Sequence, residues 1–397
     1  MATTTEVLQE LAGWNESPTN VDAIQAALLR IWREANNPHP QNDGRSGFSG
    51  GIVRTRVANL LVYASTHDGA QRSAAILREL ALRHPVRSLL LTHSSTTASD
   101  ALGAAVHAFC RPSAGRSVCF EQIQLTAGDS AARHLASVAG QLLVHDLPTL
   151  LWWPGSPPFG SPLFRRLADL ADLLAFDSSE FAVAADGLIA LGDGARPLRG
   201  QKAVADLNWN RLADWRELIA QFFDHDEARL ALEQVTSVEI EVAGAGGSAA
   251  SAQVLLLAGW LGSRLHWRLA SARQSSGAIH LRMRRGRAAV EVRLTPSSSK
   301  SARPGSICAV RIYAGTDGAA QRFCLESEPD EPHATATAER ASGGSNCRCF
   351  VLQERSEAEL LAEELETLGR EHALDDALDF AGQIAARLLQ GPAGDRD

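Results

Sequence analysis

The sequence lacks the features that mark membrane, secreted and disulfide-rich proteins. No apolar run reaches the roughly 20 residues that a transmembrane helix needs. The first residues, Met-Ala-Thr-Thr-Thr-Glu, have neither the basic region nor the apolar region of a secretory signal peptide. Six cysteines in 397 residues are too few for a disulfide framework. We therefore expect a cytoplasmic protein that does not bind membranes and whose cysteines are thiols by default.

The motifs of nucleotide-binding and metal-dependent enzymes are also missing from the sequence. It contains no Gly-x-Gly-x-x-Gly after a first strand, no phosphate-binding loop, no His-Glu-x-x-His and no Cys/His zinc spacing. Gly47-Phe48-Ser49-Gly50-Gly51 has the spelling of a nucleophile elbow, but a polar loop precedes it and a strand follows, whereas the elbow needs a strand before it and a helix after it. We expect a flexible loop there, and we predict no catalytic residue, no metal site and no cofactor.

The residues that are present are typical of a soluble globular protein. Hydrophobic residues make up 45% of the chain and charged residues 21%. A chain of 397 residues is long enough for two domains, each with a sizeable core. The net charge of -8 argues against binding of nucleic acid through a generally basic surface.

Residues 46–195 alternate apolar runs with helical patterns, which is typical of an α/β domain. We predict a mostly parallel sheet with helices on its faces. Residues 102–110 fit a helix or a strand, and this choice stays open. Before this domain, residues 1–45 are predicted to be a helical segment, over 19–35 with Thr19 or Asn20 as its cap, and a linker. The other predicted strands are 52–63, 86–92, 118–125, the run that ends at Trp153 and 172–176; the predicted helices are 69–83, 129–143 and 162–171.

A Gly/Pro-rich break from Gly192 to Gly200 places the domain boundary between residues 195 and 196. Residues 196–390 are predicted to form an α+β domain with an antiparallel meander, and residues 391–397 a frayed tail. The predicted strands are 235–242, 264–270, 277–284, 288–294, 307–313 and 347–352; the predicted helices are 249–261, 356–369 and 374–389.

The stretch from Leu147 to Glu180 reads as a strand, a crossover helix and a second strand. Ligands of open parallel sheets bind at the carboxyl ends of strands. Here those ends carry Trp152 and Trp153, and then Asp177-Ser178-Ser179. These residues are the first candidates for a functional site.

Two further tryptophans lie beside arginines near the predicted domain junction. Tryptophan and arginine are enriched at the energetic centres of protein interfaces. Burial in a core explains the tryptophans equally well, so both interpretations stay open. The candidate partner-binding residues are Trp152, Trp153, Asp177, Ser178, Ser179, Trp209, Arg211, Trp215 and Arg216.

Two pairs of cysteines have spacings that could support redox chemistry. On a strand, Cys347 and Cys349 would point to one face, with Cα atoms close to the limit of about 7 Å for a disulfide. They are either a redox-sensitive pair or two thiols beside a loop. Cys110 and Cys119 flank a short connection and form a second, weaker candidate pair.

An arginine-rich pair of predicted strands gives the acidic chain a local basic patch. Such a run is usually a solvated sheet face, but it also suits docking of an acidic partner or contact with a sugar phosphate. Its members are Arg282, Arg284, Arg285, Arg287 and Arg293.

Several motifs occur in an order that resembles a known family. They are Asp146-Leu147-Pro148 running on to Trp152-Trp153-Pro154-Gly155; Asp177-Ser178-Ser179-Glu180-Phe181; Asp206-Leu207-Asn208-Trp209-Asn210-Arg211-Leu212 continuing through Trp215-Arg216-Glu217-Leu218 to Phe222-Phe223-Asp224; and, more weakly, Arg54-Thr55-Arg56-Val57-Ala58-Asn59-Leu60 and Glu121-Gln122-Ile123. Over most of residues 50–225 the chain resembles the OpcA family of glucose-6-phosphate dehydrogenase assembly proteins.

This resemblance implies a function that composition and spacing do not show. It implies a non-catalytic protein of the pentose phosphate pathway that binds glucose-6-phosphate dehydrogenase and favours its active oligomer. Some photosynthetic members link this role to thiol redox state, which implies possible redox regulation here. The alternative is an enzyme or sensor that binds sugar phosphates through the carboxyl edge of the sheet and the basic patch.

Overall fold

The chain folds into two compact units that interleave along the sequence. The computed structural model describes residues 9–36, 52–95, 97, 100–113, 116–243, 249–297, 304–315, 320–327, 333–339 and 344–390. Unit 1 comprises Met1–Phe176, Gly200–Val204 and Ser356–Arg370. Unit 2 comprises Asp177–Arg199, Ala205–Arg355 and Glu371–Asp397. The chain first passes between the units at 176/177, whereas the sequence-based boundary lies at 195/196.

Unit 1 is built on a mostly parallel sheet in the order β1-β5-β6-β4-β3-β7-β8-β9, with β2 beside β6. Its elements are β1 (Gln9–Glu16), α1 (Val21–Asn36), β2 (Ile52–Arg54), β3 (Asn59–Ala64), α2 (His67–Arg83), β4 (Arg87–His93), β5 (Leu102–Ser113), β6 (Arg116–Ala127), α3 (Leu135–Leu142), β7 (Thr149–Trp152), α4 (Pro162–Asp169), β8 (Leu173–Phe176), the beginning of β9 (Ala203–Asp206) and α10 (Glu357–Thr367).

The central strands of unit 1 are parallel because helices connect them. Strand β3 pairs in parallel with β4 and β7, and β7 pairs in parallel with β8. All four residues of β7 and of β8 are buried, as expected for strands that helices cover on both faces. At one side of the sheet the pairing is antiparallel, between β6 and β5 and between β5 and β1.

Unit 2 contains an eight-stranded sheet in the order β11-β12-β13-β10-β14-β15-β16-β17. Every pair in it is antiparallel except β10 with β13. Its elements are α5 (Ala184–Ala195), the end of β9, α6 (Leu207–Arg211), α7 (Ala213–Gln221), α8 (Asp226–Leu232), β10 (Val235–Ala243), α9 (Ala252–Arg264), β11 (Arg268–Ser275), β12 (Ala278–Arg285), β13 (Ala288–Ser297), β14 (Ile307–Ala314), β15 (Gln321–Ser327), β16 (His333–Glu339), β17 (Ser345–Val351) and α11 (His372–Leu389).

Helices α9 and α11 pack closely in the core of unit 2. A Cβ atom added to Gly259 would lie 2.5 Å from the carbonyl oxygen of Ala377 and 2.9 Å from the amide nitrogen of Ala381. Glycine is therefore required at this position, because any side chain would push the two helices apart.

The structure confirms the predicted fold class, an α/β sheet with helices followed by an α+β region with an antiparallel meander. Asn20 caps α1 as predicted, by accepting the Ala23 amide at 2.9 Å. The open choice at 102–110 resolves to strand β5. The loop predicted at 47–51 and the tail predicted at 391–397 lie outside the described residues.

The sequence analysis misses four of the described strands. It places β1 in a helical segment and predicts no strand at the positions of β9, β15 and β16. Strand β16 reads His-Ala-Thr-Ala-Thr-Ala-Glu, in which alanine gives a weak apolar signal. Its pairing with β15 and β17, and not its own composition, makes it a strand.

The expectation that all six cysteines are thiols is wrong. Cys110 on β5 and Cys119 on β6 face each other across the ladder and form a disulfide. Both residues are fully buried. Cys308, Cys324, Cys347 and Cys349 are thiols. The weaker of the two candidate pairs is therefore the bonded one.

Removal of the disulfide tests its contribution to unit 1. The two cysteines are nine positions apart, and closing so short a loop lowers the entropy of the unfolded chain by an amount equivalent to about 2–3 kcal/mol. We expect the double variant Cys110→Ala, Cys119→Ala to lose about that much free energy of unfolding in urea. The unvaried protein in dithiothreitol should lose a similar amount. Identical unfolding curves with and without reductant, together with alkylation of six thiols in the denatured protein, would contradict the assignment.

Candidate functional site

Asp177 lies at the centre of a buried polar network in unit 2. It follows β8 and opens the short 3-10 helix Ser178–Glu180, where its carboxylate accepts the amide of Ser179 at 3.0 Å. The guanidinium of Arg211 donates to both carboxylate oxygens, at 2.9 and 2.8 Å. Asp177 is only 1% exposed, so this two-pronged pair neutralises a charge that water does not reach.

Asp206 joins the two sequence motifs that meet in this network. One of its carboxylate oxygens accepts the amide of Ser178 at 2.9 Å and the amide of Asn208 at 3.0 Å. The Asn208 side chain in turn donates to the Ser178 hydroxyl at 3.0 Å. Asp206 thus caps α6 and ties it to the turn that contains Ser178.

Burial and the neighbouring charge of Asp177 raise the pKa of Asp206 to about 6. Hydrogen bonds from Ser178 and Asn208 act in the opposite direction, because they stabilise the carboxylate. Desolvation is the larger effect. We call Asp177, Ser178, Ser179, Asp206, Asn208 and Arg211 the aspartate network.

Trp209 and Arg216 form a stacked pair next in sequence to the aspartate network. The guanidinium carbon of Arg216 lies 3.6 Å from the centre of the Trp209 ring, a close cation–π contact. Arg216 also pairs with Glu371 at 3.0 Å, and its burial lowers the pKa of its guanidinium. Trp209 is fully buried and Trp215 is 6% exposed.

Trp152 and Trp153 belong to the core of unit 1. They are 2% and 6% exposed. The Trp153 ring stacks on Tyr63 with a centroid distance of 4.5 Å and meets Phe164 edge-on at 5.1 Å. These contacts explain why the strand end carries two large aromatic residues.

The nine predicted partner-binding residues therefore fall into two groups. Asp177, Ser178, Ser179 and Arg211 form one hydrogen-bonded network in unit 2, with Trp209, Trp215 and Arg216 following Asn208 in the chain. Trp152 and Trp153 lie in unit 1. The four tryptophans are at most 6% exposed, so their packing into the cores is clear. Contact of any of the nine with a partner stays a prediction.

The arginine-rich strands β12 and β13 form a solvated face. Arg282 lies 3.9 Å from Glu291, and Arg293 lies 3.3 Å from Glu239. Both pairs are largely exposed, and such pairs contribute little to stability. Arg285 donates to the carbonyl of Leu232 at 2.6 Å, which is a structural contact.

Cys347 and Cys349 are exposed thiols on β17. They pair in register with Thr337 and Thr335 of β16 and, being two positions apart on a strand, lie on one face of it. The same-face geometry predicted from the sequence is therefore present. Their redox activity stays a prediction.

A cluster in unit 1 received little weight in the sequence analysis. Glu121 on β6 is fully buried and holds three arginines and a tryptophan. One carboxylate oxygen accepts Arg87 at 2.6 Å and lies 2.8 Å from Arg56; the other accepts Arg54 and Trp32, both at 2.7 Å. We call Trp32, Arg54, Arg56, Arg87 and Glu121 the arginine cluster.

A sequence signal for the arginine cluster did exist. Glu121 alternates with Ile123 and Leu125, so a strand places its carboxylate on the same face as two buried apolar side chains. A carboxylate in that position needs cationic partners. The sequence could not identify these partners, because they come from two segments far from Glu121 in the chain, residues 54–56 and Arg87.

A cavity of about 400 Å³ in unit 2 is lined by Ser263, Arg264, His266, Asp376, Asp379, Phe380 and Gln383. Its acidic groups are already paired: Arg264 contacts Asp376, and Arg199 donates to Asp379 at 2.8 Å. Across the described ranges, no three His, Cys, Asp or Glu side chains are grouped so as to hold a metal ion. None of the described helices is both long and apolar enough to cross a membrane.

These features define a two-unit α/β and α+β protein in which two of the predicted site residues, Asp177 and Arg211, form a buried ion pair. Two family models match the chain in order: the glucose-6-phosphate dehydrogenase subunit N-terminal domain over residues 77–192 and the corresponding C-terminal domain over residues 202–378. The chain belongs to the OpcA family of glucose-6-phosphate dehydrogenase subunits. The gap between the two matches, at 193–201, surrounds the sequence-based boundary at 195/196.

Curated relatives agree with this membership. A protein of Nostoc punctiforme, provisionally named OxPP cycle protein OpcA, is 29% identical over 336 residues, which are 81% of this chain and 69% of the relative. A protein of Synechocystis with the same name is 28% identical over 260 residues, 63% of this chain and 48% of that relative. A protein of Synechococcus elongatus with this name is 27% identical over 332 residues, 80% of this chain and 71% of its own length.

Solved structures with some similarity include a dehydrogenase (MviM) from Clostridium difficile. It is 7% identical, the alignment covers 84% of this chain and 99% of that one, and the TM-score is 0.44. An oxidoreductase domain protein from Kribbella flavida gives 14% identity, coverage of 86% and 92%, and a TM-score of 0.36. Similarity at this level carries no functional argument.

Substitution of Asp206 tests the electrostatics of the aspartate network. The pKa of Asp206 is about 6 in the folded protein and 3.8 in the reference state. At pH values between these two, Asp206 is protonated in the folded protein and ionised in the unfolded chain. Asp206 therefore destabilises the fold increasingly as the pH rises from 4 through 6, by roughly 3 kcal/mol at most. Asparagine keeps one acceptor oxygen for the Ser178 and Asn208 amides and carries no charge.

We expect Asp206→Asn to be about 1–3 kcal/mol more stable than the unvaried protein at pH 8, with the difference shrinking towards pH 4.5. Urea unfolding at several pH values measures this. Asp226→Asn, at an exposed position in unit 2, is the matched control and should leave the pH dependence unchanged. A constant difference between Asp206→Asn and the unvaried protein across the pH range would refute the raised pKa.

Proposed function

We propose that this protein is a non-catalytic assembly factor and allosteric activator that binds glucose-6-phosphate dehydrogenase and favours its active oligomer. The observation that carries the proposal is the ordered match of both dehydrogenase-subunit family models, over residues 77–192 and 202–378. A cytoplasmic location and a place in the pentose phosphate pathway are part of the same proposal.

Activation by a binding protein requires a difference in affinity. A partner that binds two conformers of an enzyme equally well shifts neither population. The protein therefore acts by binding the active oligomer of the dehydrogenase more tightly than the inactive form. By reciprocity, ligands that favour the active dehydrogenase strengthen its binding to this protein by the same factor.

The surface that we propose for the partner lies around the exposed edge of the aspartate network and of α7. Ser179 is exposed, and the side chains of Arg211 and Arg216 are 13% and 15% exposed. The buried Trp209 stacks on Arg216, and the carboxylate of Asp177 holds Arg211. Glu217 follows Arg216 and is exposed on α7, so a change at Glu217 alters this surface without opening a core.

A binding and activity assay with the cognate dehydrogenase tests the proposed function. We expect the purified protein to capture the dehydrogenase and to raise its activity in steady-state kinetics. Glu217→Arg should weaken capture several-fold, because it reverses the charge beside the proposed contact surface. Glu34→Arg makes the same change on an exposed position of α1 in unit 1 and should bind normally.

The alternative function, a sugar-phosphate enzyme or sensor, predicts a different result in the same experiment. No capture and no change in dehydrogenase kinetics would refute the assembly role. Turnover of a sugar phosphate by the purified protein alone would favour a sugar-phosphate enzyme. Equal capture by the Glu217→Arg and Glu34→Arg variants would place the interface elsewhere while leaving the function intact.

The exposed thiols of β17 allow a test of redox regulation. We expect mild oxidation to change the activation of the dehydrogenase, and Cys347→Ser to remove that dependence. Cys324→Ala is the control, because burial raises the pKa of the Cys324 thiol to about 11 and keeps it unreactive at neutral pH. Unchanged oxidant dependence in Cys347→Ser would exclude Cys347 as the sensor.

A further inference from the structure

The arginine cluster of unit 1 carries more positive charge than its own carboxylate neutralises. Arg54, Arg56 and Arg87 surround Glu121, which gives the group a formal charge of +2. Burial, and to a smaller extent the charge of Arg87, lower the pKa of Arg54, and Glu121 only partly offsets them. Arginines held this close to one another repel, so the cluster is suited to a further anion.

The hydrogen-bonding capacity of Glu121 is already used. Its two oxygens offer about four acceptor positions, and Trp32, Arg54, Arg56 and Arg87 approach them. Arg87 also donates to the Leu142 carbonyl at 2.7 Å. The buried Nε of Arg56 finds no hydrogen-bond acceptor in the part of the chain that the structure describes.

The solvent exposure of the three arginine side chains decreases from Arg54 to Arg56 to Arg87. The side chain of Arg54 is 32% exposed, that of Arg56 is 17% exposed and that of Arg87 is 11% exposed. Arg54 therefore lies at the solvent side and Arg87 at the inner side. The guanidinium carbon of Arg54 lies 4.7 Å from the centre of the Trp32 ring, which holds the outer arginine in position.

We propose that the arginine cluster is a binding site for a phosphate group, supplied by inorganic phosphate or by a small phosphate monoester. A phosphate dianion carries the two negative charges that the cluster lacks, and its oxygens accept the two-pronged donors of arginine. The held positions of Arg54 and Arg87 reduce the ordering cost of binding. This site is separate from the aspartate network and does not depend on the proposed function.

Calorimetric titration of the full chain at pH 8 tests the site. Inorganic phosphate and glycerol 3-phosphate are the probes, and sodium chloride at matched ionic strength is the blank. We expect saturable binding that weakens as salt rises. Arg54→Gln should weaken it about tenfold, because it removes a charge-assisted donor at the solvent side. Arg54→Lys keeps the positive charge but lacks the planar guanidinium with its two parallel donors, so it should weaken phosphate binding less than Arg54→Gln does.

Arg83→Gln is the matched control, since Arg83 is an exposed arginine of unit 1 that pairs with Glu359. It should bind phosphate as the unvaried protein does. Thermal unfolding without ligand verifies that each variant is folded. Tighter binding of glycerol 3-phosphate would favour a monoester as the ligand, and tighter binding of phosphate would favour inorganic phosphate. Equal binding would show that the site contacts only the phosphate group that both probes share.

Two outcomes would overturn the proposal. One is the absence of saturable binding of both probes; loss of dehydrogenase capture by folded Arg54→Gln would in that case assign the excess charge to an acidic protein partner. The other is binding that Arg54→Gln and Arg83→Gln reduce equally, since this would be a general charge effect.

Discussion

The burial of carboxylates with matched donors is the constraint on which much of this structure depends. A buried carboxylate without partners costs several kcal/mol, and breaking a buried pair costs about 3–5 kcal/mol. Asp177 in unit 2 and Glu121 in unit 1 are both at most 1% exposed. Each fixes arginines from distant parts of the sequence, so the local folds of both units require those arginines to arrive in the correct geometry.

The two networks meet the same constraint in different ways. Arg211 matches Asp177 one to one, while nearby Asp206 is held mainly by amide donors, which stabilise its charge less well than an arginine does. Glu121 has the opposite balance, with three arginines on one carboxylate. With both aspartates ionised, the aspartate network therefore has an excess of negative charge, and the arginine cluster has an excess of positive charge.

The sequence predicted the fold class because its strongest signals are local. The apolar runs of β3, β4, β7 and β8 and the amphipathic helices are visible without knowledge of any partner. Strands β1 and β16 were missed because their pairing decides their structure. The motif around Asp177 and that around Arg211 were both identified, but the pair between them spans 34 positions and no local pattern reports it. The disulfide was not predicted, because the low cysteine content of the chain indicates thiols. That general argument was given more weight than the short separation of Cys110 and Cys119.

The return of residues 356–370 to unit 1 has a consequence for synthesis of the chain. Helix α10 packs on α2 through Arg83 and Glu359 at 2.6 Å and through Ser356 and Glu79 at 2.7 Å. During translation, α2 leaves the ribosome long before α10 exists, and most of unit 2 is made in between. The packing of unit 1 is therefore complete only after the ribosome has made residues 356–370, although the strands of its sheet are made much earlier.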